Sequence, residues 1–344
     1  MRRQWRTLDG EAPIVIAHRG ASGHRPEHTL ASYELAIELG ADYIEPDLVA
    51  TKDGHLIARH EPLLDDTTDV QERTEFADRR TTREVDGVQV TGFFASDFTL
   101  EEIGRLRAVQ PNPARSRDYD GKFGIPTFEE ILDLVQARTA QLGRPIGVYP
   151  ETKHPSFHRA LGLTLEDRLL DALRRRGLEG ADAPVFIQSF DSANLQYLRA
   201  RTDTPLVQLL GDGFLVYDAA GVRVQRVTIP QYGDPRGNAP PETLEDIARY
   251  ANAIGPWKRQ ILYAAGESAL TPTALIEQAH AAGLRVHAYT FRSEAPTLAP
   301  QYRGDPLNEY LQFFDLGIDG VFSDFPGAAL SARALISGNP KSEK

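Results

Sequence analysis

Seven side chains suited to acid–base and metal chemistry stand at or near the ends of short apolar runs. His18 and Arg19 follow Ile14 to Ala17, Glu45 and Asp47 lie in Tyr43 to Leu48, His60 follows Leu56 to Arg59, and Glu151 with Lys153 follows Ile146 to Tyr149. Glu45 and Asp47 are two residues apart, so on a strand both point to one face. Two carboxylates on one face repel, and at least one is pushed toward its neutral form unless a hard divalent cation keeps both ionised. Glu151, on a different run, offers a third oxygen ligand. The set predicts one divalent ion, Ca²⁺ or Mg²⁺, held by Glu45, Asp47 and Glu151.

His18 and His60 can each exchange a proton near neutral pH. Hydrolysis of a phosphodiester needs one group to take a proton from the attacking hydroxyl and another to protonate the departing alkoxide, and two facing imidazoles supply that pair. Arg19 and Lys153 would add fixed positive charge where phosphoryl oxygens gather negative charge. Taken singly, each residue has a plainer reading: a salt bridge or helix cap for a carboxylate, a structural hydrogen bond for a histidine beside arginine. Three carboxylates, two histidines, an arginine and a lysine ending four strands by coincidence is the less economical account.

His24, His28, His55, His154 and His158 read as surface, turn or supporting residues. None belongs to a His-Glu-x-x-His zinc motif. Ser189 lacks the Gly-x-Ser-x-Gly elbow of serine hydrolases. The glycines of His18-Arg19-Gly20-Ala21-Ser22-Gly23 match neither a P-loop nor a dinucleotide fingerprint, so no nucleotide cofactor is indicated.

The elements that must position these residues are short β-branched runs alternating with amphipathic stretches, the pattern of parallel strands joined by helices. Strands are expected near Ile14 to Ala17, Tyr43 to Leu48, Leu56 to Arg59, Ile146 to Tyr149, Val185 to Gln188, Pro205 to Leu209, Arg285 to Tyr289 and Gly320 to Phe322, with a further one near Gln260 to Tyr263. Helices are expected over Leu30 to Leu39, Thr127 to Ala137, Thr164 to Arg175, Ser192 to Ala200 and Thr271 to Ala282. This is an α/β chain, a TIM-type (β/α)8 barrel, whose chemistry gathers at the carboxyl ends of the strands. Thr51-Lys52-Asp53-Gly54 is too short for a crossover helix, so it predicts a hairpin or a bent continuation. The stretch from Leu64 to Gly124 is too long for a plain loop and is expected to form a small inserted subdomain within a single catalytic domain spanning residues 1–344. Asp212 to Pro256 has scattered Pro and Gly, and the polar tail from Ser337 should fray.

The 344 residues carry 49 acidic and 38 basic side chains and a formal charge of −11. No Lys/Arg block tracks a phosphate backbone, which argues against nucleic acid as a partner. The acidity does not exclude a phosphate ester, because a bound cation reverses the local field. Zero cysteines exclude disulfides, thiol nucleophiles and Cys-ligated zinc. No apolar run approaches the roughly 20 residues of a transmembrane helix. Met1 to Arg6 is basic, but Thr7 to Pro13 is polar where a signal peptide is apolar, so none is expected. The chain is then periplasmic or secreted if it is a trimmed mature form, and otherwise cytoplasmic.

These residues resemble the glycerophosphodiester phosphodiesterase family, closest to its bacterial periplasmic type. The resemblance rests on His18-Arg19-Gly20-Ala21-Ser22-Gly23 with Pro26-Glu27-His28-Thr29, on Gly40 to Leu48, and on Thr51-Lys52-Asp53-Gly54 leading to His60. It continues through Glu151-Thr152-Lys153, Gln188-Ser189-Phe190, His287 to Arg292 and Phe322-Ser323-Asp324-Phe325-Pro326. It implies a TIM barrel with an insertion after the third strand, a metal on Glu45, Asp47 and Glu151, acid–base roles for His18 and His60, and phosphate binding by Arg19 and Lys153. It also implies that Phe190 and Tyr289 shape a glycerol pocket and that Gln188 hydrogen-bonds substrate. Where many members follow the second histidine with Asp, this chain has Glu61 and then Pro62.

The expected reaction is hydrolysis of a water-soluble glycerophosphodiester to sn-glycerol 3-phosphate and an alcohol, with broad tolerance of the alcohol. The alternatives are a lysophospholipid or sphingolipid phosphodiesterase of the same barrel type, which needs an apolar rim for which the insertion offers Phe93, Phe94 and Phe98, a catalytically silent phosphodiester-binding module, and a metal-dependent sugar isomerase, which would leave Arg19 and Lys153 without a purpose.

Overall fold

The computed structural model describes residues 5–211, 243–264 and 270–338. In chain order its strands are β1 (Ile14–His18), β2 (Tyr43–Glu45), β3 (Asp47–Ala50), β4 (Leu56–Ala58), β5 (Thr81–Val85), β6 (Val88–Gly92), β7 (Gly147–Val148), β8 (Glu151–Thr152), β9 (Ile187–Ser189), β10 (Leu206–Leu210), β11 (Ala253–Pro256), β12 (Leu262–Ala264), β13 (Leu270–Pro272), β14 (Arg285–Phe291) and β15 (Gly320–Ser323). Pro46 separates β2 from β3, and Pro150 separates β7 from β8. Proline has no N–H to give a ladder, so each pair is one barrel strand interrupted at a proline. Counted that way, β1, β2/β3, β7/β8, β9, β10, β11, β14 and β15 pair in parallel in that order, and β15 returns to β1. The result is a closed TIM-type barrel.

Three sequence expectations change. The run Leu56 to Arg59 is not a barrel strand: β4 pairs antiparallel with β3, Leu48 opposite Ala58, because the Thr51–Gly54 turn leaves room only for a hairpin. The barrel position is filled by β11, whose Gly255 and Pro256 hide it among turn signals. Near Gln260 the chain makes a helical turn, Lys258–Ile261, before β12, which pairs antiparallel with β13 outside the barrel. Because β13 takes Leu270–Pro272, the following helix starts at Leu275 and ends at Ala281 rather than starting at Thr271. Residues 212–242 of the poorly patterned stretch, and the tail beyond Gly338, lie outside the described residues.

The other helices fall near their expected places, and their ends follow from local chemistry. Leu30–Leu39 starts at Thr29, whose hydroxyl accepts from the Ser32 N–H, and stops at Gly40 with φ 101°. Phe128–Leu142 runs five residues past the expected Ala137; Thr127 and Glu130 form its capping box and Gly143 its left-handed stop. Leu165–Arg175 and Ser192–Arg199 complete the expected set. These helices bury their apolar faces on the outside of the barrel in one continuous core, while Ile16, Tyr149, Val207, Ala253 and Phe322 fill the lumen.

Residues 64–124 fold between β4 and the Phe128 helix. They include the antiparallel hairpin β5–β6, which turns at Asp86 (φ 49°) and Gly87 (φ 83°), and a short helix at Leu100–Ile103. Phe76, Phe93, Phe98 and Ile103 form a separate apolar cluster that closes over Val49 and Ile57 of the β3–β4 hairpin. Among the described residues no helix is long and apolar enough to cross a membrane.

Candidate active site

Strand register brings the polar strand ends to one level. His18 lies opposite Glu45, Asp47 opposite Glu151, and Glu151 opposite Gln188. These are carboxyl ends of barrel strands, where a TIM-type fold places its chemistry. Nine of the ten residues singled out from the sequence line one cleft of about 230 Å³: His18, Arg19, Glu45, His60, Glu151, Lys153, Gln188, Phe190 and Tyr289. The tenth, Asp47, is buried beside them. Trp257, Leu209, Thr290, Arg292 and Phe322 also line the cleft, and the last three stand within the blocks that carried the resemblance.

One oxygen from each of Glu45, Asp47 and Glu151 lies within 4.8 Å of the others, and all three residues are buried. Glu45 accepts from Gln188 Nε2 at 3.0 Å and from the Arg19 backbone N–H at 2.8 Å. Glu151 accepts from Lys153 Nζ at 2.9 Å, and Asp47 Oδ2 from His28 Nε2 at 2.9 Å. Asp47 Oδ1 and Gln188 Oε1 are buried with no hydrogen-bond partner. Burial, then the charges of Asp47 and Glu151, push the Glu45 carboxyl well above its ordinary range. Burial lifts Glu151 to about 8 against the pull of Lys153. Burial would lift Asp47 as well, but Lys153, His28 and His60 hold it well below the usual carboxylate range. A proton-carrying trio of oxygen donors with an orphaned buried oxygen fits a hard divalent cation, which would take the proton's place.

Each histidine is fixed by a carboxylate. His18 Nδ1 meets Asp324 Oδ1 at 2.6 Å, and His60 Nδ1 meets Glu61 Oε1 at 2.6 Å. A carboxylate accepts, so both rings carry their proton on Nδ1 and turn Nε2 toward the cleft. For His60 the assignment has a second support, because Lys153 Nζ donates to its Nε2 at 3.1 Å. Burial pushes His60 down to about 4, with Arg19 and Lys153 adding to the effect; burial also lowers His18, against the raising influence of Asp324.

Arg19 sits in a left-handed backbone conformation (φ 59°) followed by Gly20 (φ 84°), a turn that aims its N–H at Glu45. Its guanidinium makes a two-oxygen contact with Glu27 at 3.0 Å and lies 3.5 Å from Asp47. Phe190 and Tyr289 meet edge to face, ring centres 6.0 Å apart, and the Tyr289 hydroxyl donates to the Leu210 carbonyl.

The supporting residues are what sequence reasoning missed. Asp324 and Glu27 stand inside the blocks that carried the resemblance and Glu61 is the departure just after His60, yet none announced a partner; His28, read as a surface, turn or supporting residue, meets Asp47. Arg115 gave no signal at all. It leaves the inserted segment to reach Asp324 at 2.5 Å and Glu294 at 2.6 Å.

The glycerophosphoryl diester phosphodiesterase family model matches residues 18–328. The glycerophosphodiester phosphodiesterase GDPD6 of Arabidopsis thaliana is 38% identical over 98% of this chain and 90% of its own length. That of Haemophilus influenzae is 31% identical over 91% of this chain and 87% of its own. Two solved structures share the fold. A glycerophosphodiester phosphodiesterase from Agrobacterium tumefaciens has a TM-score of 0.58 at 19% identity, covering 92% of this chain and 98% of that one. An Oleispira antarctica phosphodiesterase in complex with its product sn-glycerol-3-phosphate has 0.57 at 20%, covering 95% and 98%. With a family model over most of the chain and near full-length relatives above 30% identity, the chain belongs to the glycerophosphoryl diester phosphodiesterase family and is an enzyme, a phosphoric diester hydrolase.

Proposed function

We propose that the chain hydrolyses glycerophosphodiesters to sn-glycerol 3-phosphate and an alcohol, using one divalent cation and His18 with His60 as the acid–base pair. The observation that carries this reading is the convergence of the buried Glu45–Asp47–Glu151 trio and two carboxylate-fixed imidazoles on one cleft. The trio would hold Ca²⁺ or Mg²⁺, which would supply positive charge against the negative charge of a phosphodiester. Arg19 and Lys153 bind the remaining phosphoryl oxygens. One imidazole, neutral with a bare Nε2, takes the proton of the attacking water or glycerol 2-hydroxyl there, and the other, entering as the imidazolium with both ring nitrogens protonated, gives its Nε2 proton to the leaving alkoxide. Gln188 hydrogen-bonds substrate, and the Phe190–Tyr289 pair packs the glycerol carbons and keeps bulk water out. Residues 64–124 act as a subdomain of this single catalytic domain.

The lipid-substrate alternative loses its main support. Phe93, Phe94 and Phe98 are all buried, packed into the insertion's own clusters rather than exposed as a rim. The test is release of sn-glycerol 3-phosphate from glycerophosphocholine by metal-stripped protein with Ca²⁺ or Mg²⁺ restored. Metal-dependent release that His18→Ala abolishes supports the proposal; no release with either ion, or turnover of lysophosphatidylcholine alone, refutes it.

A further inference from the structure

Beyond the cleft, a chain of charged side chains links the β5–β6 hairpin to His60. Asp86, at the hairpin tip, contacts His154 Nδ1 at 2.5 Å; His154 Nε2 lies 3.5 Å from Glu61 Oε2; and Glu61 Oε1 accepts from His60 Nδ1 at 2.6 Å. We propose that Asp86 and His154 are positioning residues that hold Glu61, and through it His60, in the proton-transfer geometry. This rests on the acid–base role proposed above for His60.

Three observations carry the proposal. First, the imidazole of His154 lies between two carboxylates, one at each ring nitrogen: Nδ1 meets Asp86, and Nε2 lies 3.5 Å from Glu61; burial opposes its proton, but Asp86 and Glu61 raise its proton affinity above the ordinary histidine value. Second, His154 has a left-handed backbone (φ 44°) at the start of the helix Pro155–Ala160 and gives that helix no side-chain cap. A histidine in that conformation is uncommon, and local helix chemistry does not account for it. Third, the two Glu61 carboxylate oxygens face two imidazoles, Oε1 at His60 Nδ1 and Oε2 near His154 Nε2. With one oxygen on His154, the other is left in line with His60 Nδ1, which keeps the His60 Nε2 lone pair facing the cleft. Without His154, Glu61, already 25% exposed, can swing to solvent and release the ring.

Two substitutions isolate the effect. Asp86→Asn keeps the hairpin, since Asn-Gly suits the same turn as Asp-Gly, but removes the charge. His154→Asn keeps a residue that tolerates the left-handed backbone but is too short to bridge both carboxylates. With glycerophosphocholine as substrate, each is expected to lower kcat about 10-fold or more while KM stays within about twofold, the scale on which outer-shell partners act. Asp86→Asn in the His154→Asn background should lower kcat no further, because both act through one path.

A general loosening of the insertion would instead act on KM, or multiply in the double variant. Single variants within about twofold of the wild-type kcat, or effects that multiply, overturn the relay. His60→Ala separates the two claims. If it retains wild-type kcat, the acid–base reading of His60 itself fails and the relay with it; if it is inactive while His154→Asn is unimpaired, only the relay fails.

Discussion

Restoring Ca²⁺ or Mg²⁺ to metal-stripped protein is predicted to raise its melting temperature by about 4 °C. The stripped fold packs three carboxylates into one buried site, so an ion there is bound by the folded chain and not by the unfolded one. Such a ligand stabilises by about 2.7 kcal/mol at a hundred times its Kd. Unfolding entropy near 60 °C is about 2.1 cal/mol/K per residue, or about 0.7 kcal/mol/K for 344 residues, and the quotient is about 4 °C. Binding must displace the proton that burial favours on Glu45 and on Glu151, the latter raised to about 8. Protons therefore compete with the ion, and the same ion concentration gives a smaller shift as pH falls below that value.

Differential scanning calorimetry after chelation, with either ion added to about 10 mM, reads the shift directly; that concentration is about a hundred times a Kd of about 10⁻⁴ M, a value within the weakest class of calcium sites. Asp47→Asn removes a ligand that carries an orphaned oxygen and should abolish the response. An unchanged melting temperature with both ions would refute the cation site. A full shift retained by Asp47→Asn would place the ion elsewhere.

Asp324→Asn should lower kcat about 10- to 100-fold with little change in KM, because Asp324 accepts from His18 Nδ1 and sets its tautomer. Equal losses in kcat/KM and kcat would agree, whereas a pure KM effect in steady-state kinetics would contradict it. Gly20→Ala should destabilise by more than about 1 kcal/mol in urea titration, since φ 84° excludes a Cβ and that atom would lie 2.4 Å from Ser32 Oγ; an unchanged midpoint would show the Arg19 turn to be adaptable.

The gathering of the three carboxylates, the two histidines, Arg19 and Lys153 at one cleft was legible because each terminates or interrupts an apolar run, and a barrel strand delivers such a residue to the mouth. The trio also survived the proline breaks: Glu45 and Asp47 lie in separate strands, β2 and β3, yet keep a common level because Pro46 breaks the ladder without shifting the chain. Strand identity was less legible. Leu56 to Arg59 is as apolar as any barrel strand, and periodicity alone does not tell a parallel neighbour from an antiparallel one. Residues 253–256 carry only two apolar side chains before Gly255 and Pro256, so the true barrel strand looked like a loop.

Supporting contacts were illegible for a different reason. Asp324 and His18 are 306 residues apart and meet only because β15 closes onto β1, with Ala17 opposite Ser323. Arg115 and Asp324 are 209 residues apart and meet because the insertion folds back over the mouth. No local pattern encodes either distance. Closure of the barrel therefore shapes the site as well as the fold: the residue just after the last strand, Asp324, meets His18, and Arg115 of the insertion reaches that carboxylate. His18 and His60 come from the first 60 residues, but Asp324, which meets His18, and the Arg115 that meets Asp324 come from far along the chain.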